Sequence, residues 1–298
     1  MNLKQLINKA KNKDNFANIN AFINFCDEYL KYIVDHLQAT IVSQNENHYQ
    51  FFQYRAEGNY QITRPINSNL MYNAKNFKNT SKEFTNILRN IKTIDKNNKT
   101  IREILNNTTY TVQQSLGAVL DGLPSGQSNT VRKLSGDLFE HFIRLIICEI
   151  GINCTSEVVQ VPVMVNGVTE FYMSYQHDLV VKNNNEIKLI GSIKTSSKDR
   201  LDKIFIDKFL YNKLTETVTP HVAIFLNDVQ RKNRKRENEY GINSTFLPGH
   251  FKGYTIKLNL LDGVYYCDIR PNMQTETILK DYIKTFDHLL IEDIWKFT

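Results

Sequence analysis

Residues 177–207 read HDLVVKNNNEIKLIGSIKTSSKDRLDKIFID, and the fold of the chain is decided there. Two apolar runs, DLVV and EIKLIGSI, flank an Asn-rich turn at 183–185, so they pair as neighbouring strands. An amphipathic helix follows at 201–214, with Ile204, Leu210 and Leu214 turned inward. Asp178 heads the first strand, Lys194 lies near the inner end of the second, and Asp207 lies on the helix. Each has an ordinary explanation when taken alone. An aspartate before a strand is a turn residue, a lysine in a strand is an edge residue, and Asp207 suits any amphipathic helix. The combination says more, because Lys194 follows the apolar run LIGSI and an ammonium at the end of a buried strand needs a partner. Carboxylates and one lysine on adjacent strands suit a hard divalent cation, Mg²⁺, held beside a phosphodiester.

Outward from this stretch the pattern is mixed α and β. Upstream, 131–150 is a helix with Leu138, Phe142, Leu145 and Ile146 as its apolar stripe and Gly151 as its C-terminal stop. Glu140 falls beside that stripe and can bind the metal through water or reach a second metal. Strands at 158–163 and 168–173 flank Asn166-Gly167, a two-residue hairpin turn. Downstream, 222–226 is a continuously apolar central strand. Strands at 254–261 and 264–269 around Asp262-Gly263 predict a second hairpin, and 275–297 predicts a closing helix. The expected fold is an α/β sandwich with a mixed sheet flanked by helices.

The break DGLPSGQSN at 121–129 suggests a junction between a mainly helical region, 1–120, and a core, 121–298. In the first region Phe22, Phe25, Cys26, Tyr29, Ile33 and Leu37, then Phe84, Ile87, Leu88 and Ile91, recur at helical steps. The aromatic segment HYQFFQYRAEGNYQITRP between them either contacts DNA by stacking or packs the helical region.

The chain has 298 residues, is 41% hydrophobic and carries a net charge of +6, which favours an anionic partner. Its four cysteines form no CxxC pair, which argues against a zinc site or a disulfide framework. No apolar run reaches membrane-spanning length, and a cytoplasmic setting is expected. Positive charge is densest at Arg231, Lys232, Arg234, Lys235 and Arg236, suited to phosphate contact or to a solvated loop. In Lys198-Asp199-Arg200, Arg can grip guanine and Asp can accept from cytosine; the plain alternative is a helix cap by Asp199.

Ser192-Ile193-Lys194-Thr195-Ser196 followed by Lys198-Asp199-Arg200 resembles the S-x-K-T-S-x-R-(D/E)-R motif of type II restriction endonucleases that cut around CCGG or CC-GG half-sites. These are a branch of the PD-(D/E)XK nucleases in which Ser replaces the usual acid. Leu134-Ser135-Gly136-Asp137-Leu138-Phe139-Glu140 is similar to the S-G-x-x-F-E helix of that family. The resemblance covers about residues 130–215. It implies a PD-(D/E)XK core and a catalytic set of Asp178, Ser192, Lys194, Asp207 and Glu140. Asp178, Asp207 and Glu140 are the implied metal ligands. Lys198, Asp199 and Arg200, with Thr195 and Ser196, are the implied DNA contacts, and Arg231, Arg234 and Arg236 join them as phosphate contacts. His177 stands where the family has Pro, Asp207 replaces Glu, and Lys198 replaces Arg.

The implied activity is Mg²⁺-dependent cleavage of double-stranded DNA at a short palindrome containing C·G pairs, with Mn²⁺ able to substitute. A homodimer or a tetramer, and a cognate DNA methyltransferase, are the implied partners. The alternatives are another PD-(D/E)XK nuclease, for repair or phage defence, and a non-catalytic DNA-binding module on the same fold.

Overall fold

The computed structural model describes residues 2–56, 59–124, 126–232 and 239–298. Helices α1 (Leu3–Lys11) and α2 (Ile19–His36) lead into a small antiparallel sheet. Its strands are β1 (Ala39–Val42), β2 (Tyr49–Ala56), β3 (Asn59–Ile62) and β4 (Ile66–Asn67). Helices α3 (Ala74–Arg89), α4 (Lys99–Leu120) and α5 (Ser128–Glu149) follow. Then come β5 (Cys154–Val165), β6 (Val168–Asn183), β7 (Glu186–Ser196), α6 (Leu201–Thr215) and β8 (His221–Asn227). A two-stranded ribbon, β9 (Val229–Arg231) and β10 (Ile242–Ser244), precedes α7 (Pro248–Lys257) and β11 (Gly263–Tyr266). The chain closes with α8 (Pro271–Thr275), α9 (Thr277–Tyr282), β12 (Ile283–Thr285) and α10 (Phe286–His288), whose helical path continues to Lys296.

The main sheet has the order β12-β11-β8-β7-β6-β5. β5, β6 and β7 are antiparallel, and β7, β8, β11 and β12 are parallel. Alternation along β8 feeds two cores. Val222, Ile224 and Leu226 join Leu189 and Ile193 of β7 against Leu138, Phe142 and Ile146 of α5. Ala223 and Phe225 face the other way, onto Ile204 and Phe205 of α6 and Phe251 of α7. This is a mixed α/β fold with a mixed sheet covered by helices on both faces.

Local signals explain the turns. Asn166 and Gly167 take φ of 51° and 79°, the left-handed pair that a two-residue hairpin turn demands. Helix α5 ends in a Schellman arrangement, with Gly151 at φ 90° and its N–H donating to Cys148 O, while Ile152 N–H reaches Ile147 O.

Several expectations are corrected. Residues 1–120 are mainly helical, as expected, but they also contain the β1–β4 sheet between α2 and α3. Tyr49 and Phe51 pack with Val229 and Tyr240, whereas Phe52 and Tyr54 enter the main core. Both faces of β2 are covered, so no polar alternation marks it as a strand. Those aromatics pack the protein, as the structural alternative held. The strands expected at 168–173 and 178–181 are one continuous β6. The hairpin at Asp262-Gly263 does not form. Pro248 starts a helix there, with Phe251, Tyr254 and Leu258 at helical spacing packing on its core. The Asp262 carboxylate instead accepts the His221 N–H at 2.7 Å and the Lys208 ammonium at 2.6 Å, which ties β11 alongside β8. The closing helix is interrupted because Ile283–Thr285 pairs with the open edge of β11 as a parallel strand.

The core is continuous across residue 121. Phe22, Phe25 and Tyr29 of α2 and Leu116 of α4 share one cluster with the helix-facing side of the sheet. Arg64 joins the regions: Nε and Nη2 each donate to Asp121 at 2.9 Å, and Nη1 to Ser135 Oγ of α5 at 3.1 Å. Close packing reaches into β7. A Cβ on Gly191 would stand 2.7 Å from Leu179 Cδ2 and 3.0 Å from its Cβ. Gly191→Ala is expected to cost about 1–3 kcal/mol by overpacking, read as a lower midpoint in urea unfolding. An unchanged midpoint would contradict this packing.

Candidate active site

The site is built where β6, β7 and α5 meet. Along β6 the alternation of faces slips by one residue. Glu157 is paired with His177 and Thr155 with Val180, so Asp178 and Leu179 together oppose Ser156. Such a bulge re-aims the side chains that follow it. Before it, Tyr175 and His177 lie against Tyr211 of α6, with ring centroids 5.5 Å and 5.4 Å away. After it, Leu179 and Val181 lie in the core shared with α5. Asp178 stands at the slip itself.

Three charged groups converge there. The Asp178 carboxylate accepts the Ile193 N–H at 2.9 Å and contacts the Lys194 ammonium. The same ammonium donates to Glu140 Oε1 at 3.0 Å. Arg144, one turn along α5 from Glu140, donates to the Asp178 carbonyl at 2.8 Å. The Asp178 side chain is only 12% exposed, while Lys194 and Glu140 open further toward solvent at 30% and 23%.

Electrostatics follow from this crowding. Burial, reinforced by the Asp178 charge, raises the Glu140 carboxyl above its ordinary pKa, and Lys194 only partly opposes this. Burial acts to lower the Lys194 ammonium, but Asp178 and Glu140 outweigh it and hold it charged. Glu140 and Asp178 therefore present hard oxygen donors that repel one another, a pair that a divalent cation relieves. Among the described residues no group of three His, Cys, Asp or Glu side chains is placed to hold a metal ion, and at this site the converging oxygen donors are those of Asp178 and Glu140.

The other expected residues fall as follows. Ser192 lies on β7 opposite Ala223 of β8. Asp207 lies on α6, with its carboxylate 2.6 Å from the Lys203 ammonium one turn earlier. Its charge acts on His177 and Tyr175, raising both pKa values against or along with the effect of burial. His177, where the motif this stretch resembles has Pro, is buried, and burial lowers its pKa below the ordinary value.

Thr195 and Ser196 end β7, half-buried, and Ser196 Oγ accepts the Lys198 N–H at 3.2 Å. Lys198, Asp199 and Arg200 are all exposed, with Asp199 in the left-handed region at φ 53°. Helix α6 has no side-chain cap bond, so Asp199 is not spent on capping. Arg231 is exposed and donates to Ile62 O at 3.2 Å. Arg234 and Arg236 lie outside the described residues. The sequence reading missed Arg144, whose signal is its i+4 spacing from Glu140 on one helix face.

No protein-family model matches this chain, and no curated protein matches it. A solved structure does. The chain superposes on the crystal structure of the type IIP restriction endonuclease Kpn2I with a TM-score of 0.71. The match covers 99% of this chain and 97% of that one, at 19% identity. The fold is that of a type II restriction endonuclease. The likeness runs through residues 1–120 as well as the sheet, so the N-terminal region belongs to the shared architecture.

Folding raises the Glu140 pKa, so the folded protein holds that proton more tightly than the unfolded chain. Stability from this group is present below the ordinary carboxylate range and is lost as pH rises through it. In the absence of divalent cations, Glu140→Gln is expected to raise the thermal unfolding midpoint more at pH 8 than at pH 4. An equal change at both pH values would contradict the crowded-carboxylate reading.

Proposed function

We propose that this chain is a type II restriction endonuclease that hydrolyses double-stranded DNA with Mg²⁺, or Mn²⁺, at a short palindrome containing C·G pairs. One observation carries the reading: Lys194 is held between the carboxylates of Asp178 and Glu140 on a fold shared with a type IIP restriction endonuclease. Fold alone does not fix chemistry, so the weight rests on this trio.

Asp178 and Glu140 would hold the metal, and Asp207 on the adjoining helix is a further candidate ligand once its bond to Lys203 is exchanged. Bound there, the cation would neutralise phosphoryl charge and supply a water acidic enough to attack at neutral pH. The rest is the work of the chain. The Ile193 N–H fixes one Asp178 oxygen, and Arg144 holds the Asp178 backbone, so the carboxylate is aimed before substrate arrives. With both carboxylates engaged by a cation, the Lys194 ammonium would be free to face the scissile phosphate. There it stabilises the added negative charge of the transition state. Ser192 keeps the S-x-K spacing, so that Lys194 is the charged group at the site end of this strand.

Lys198, Asp199 and Arg200 project from the loop after β7, next in sequence to the site. They read C·G pairs, with Thr195 and Ser196 shaping the loop. Arg231 meets phosphates. A palindrome requires two copies of the site, so the enzyme works as a homodimer or a tetramer in the cytoplasm. A cognate methyltransferase protects the host.

Lys194→Ala is expected to abolish cleavage while leaving DNA binding within a few-fold, measured by plasmid digestion and a gel-shift titration in Ca²⁺. Cleavage at the normal rate would refute the site. Arg200→Ala should weaken specific binding by about 1–3 kcal/mol and non-specific binding far less. Equal losses would refute base reading by Arg200.

A further inference from the structure

Two thiols meet outside the nuclease site. Cys148 lies in the last turn of α5, and Cys154 opens β5. The helix stop between them brings them together. Gly151, at φ 90°, lets the chain fold back, with its N–H on Cys148 O and that of Ile152 on Ile147 O. The chain then returns beside the helix it has just left. Cys148 Sγ and Cys154 Sγ stand 3.6 Å apart, which is contact for two sulfur atoms. Cys154 Sγ also donates to Arg144 O at 3.5 Å, so its side chain is aimed at the helix. Cys-x-x-x-x-x-Cys is no redox motif by spacing; the Schellman turn creates the pair.

The two thiols differ as a redox pair requires. Cys148 is exposed and open to a reagent from solvent. Cys154 is buried, and burial, helped by the neighbouring Cys148, pushes its thiol up and keeps it protonated. The first can react with a reagent, and the second with what the first becomes. The other two cysteines do not compete. Cys26 and Cys267 are buried on other elements, and burial raises both thiols.

The geometry points to a reversible disulfide between Cys148 and Cys154, closed by a hydroperoxide and opened by a dithiol. The Cys148 thiolate attacks the terminal peroxide oxygen. The O–O bond breaks, and that oxygen stays on sulfur as a sulfenic acid. The other oxygen leaves as water or an alcohol, with the proton that Cys148 gave up. Cys154 then attacks the Cys148 sulfur. The S–S bond forms, the S–O bond breaks, and the hydroxide leaves as water with the Cys154 proton. The two thiols lose two electrons, and the peroxide gains them. A dithiol reverses the step by exchange and itself becomes a disulfide.

The bond has a defined place. Glu140, Arg144 and Cys148 follow one another at four-residue steps along one stripe of α5. Cys154 pairs with Val181 of β6, the strand that carries Asp178. The disulfide therefore clips the Glu140 helix to the sheet, beyond the bond from Arg144 to Asp178 O. The inference does not rest on the nuclease reading, since no nuclease residue takes part in the chemistry.

Brief exposure of the full chain to hydrogen peroxide, then thiol blocking and digestion after glutamate, tests this. Glu149 lies between the two cysteines, so the cut parts them unless they are bonded. In the oxidised wild type, segments 141–149 and 150–157 are expected as one species that dithiothreitol splits; in the reduced protein they are expected apart. Cys154→Ser should leave a sulfenic acid on Cys148 that dimedone captures. The oxidised wild type should unfold at a higher temperature than the reduced one, and Cys148→Ser should abolish the difference. Cys148 carried on to a sulfinic acid with Cys154 still free would overturn the inference. So would Cys148 joined to Cys148 of another copy, or equal unfolding temperatures for the open and closed wild type. Should either variant misfold, the wild-type digest and melting curves decide the matter alone.

Discussion

The architecture around the site depends on one ammonium. Lys194 is drawn into a largely buried position at the end of β7 because Asp178 and Glu140 meet it there. Without those anions, desolvation would expel the charge; without the lysine, two carboxylates would face each other across a poorly solvated gap. The three groups come from β6, β7 and α5, so this one interaction locks a helix against two strands. Its members remain partly open to solvent, and the raised Glu140 pKa marks a carboxylate that benefits from an added cation.

Precision comes from elsewhere. The depth of α5 is set partly by Arg64, which reaches from the N-terminal region to Asp121 and Ser135. The guanidinium lies so close over α4 that a Cβ at Gly117 would be 2.3 Å from it. Gln113 of α4 donates to Ser135 O at 2.9 Å and reinforces the seat. The bulge in β6 supplies the second constraint. It turns His177 toward the α6 layer and Leu179 toward the α5 layer, leaving Asp178 between them. A regular strand would place residues 177 and 179 on one face.

Much of this was legible in the sequence, and the failures have physical causes. Asn166-Gly167, the Asn-rich turn before β7, Gly151 after α5 and the apolar run of β8 act through local backbone preference, so short windows revealed them. The trio was legible because a lysine at the end of an apolar strand needs a partner, and carboxylates stand on the neighbouring strand and helix. Elements whose identity depends on tertiary contacts were not legible. β2 is covered on both faces, α7 begins at a proline within an apparent strand, and β12 forms because β11 offers an edge. Helix α4 buries Thr108, Thr109, Gln113 and Gln114, so its sequence lacks an apolar stripe. The bulge at Asp178 and the link through Arg144 depend on register, which composition does not record.

The central claim is that the trio at β6, β7 and α5 cuts DNA at defined sequences. Incubation of the purified protein with a fully sequenced phage DNA, in Mg²⁺ and in EDTA, tests it most directly. Discrete fragments that appear only with Mg²⁺, and whose ends map to one palindrome, are the predicted result. A smear, or intact DNA despite tight binding, would contradict it.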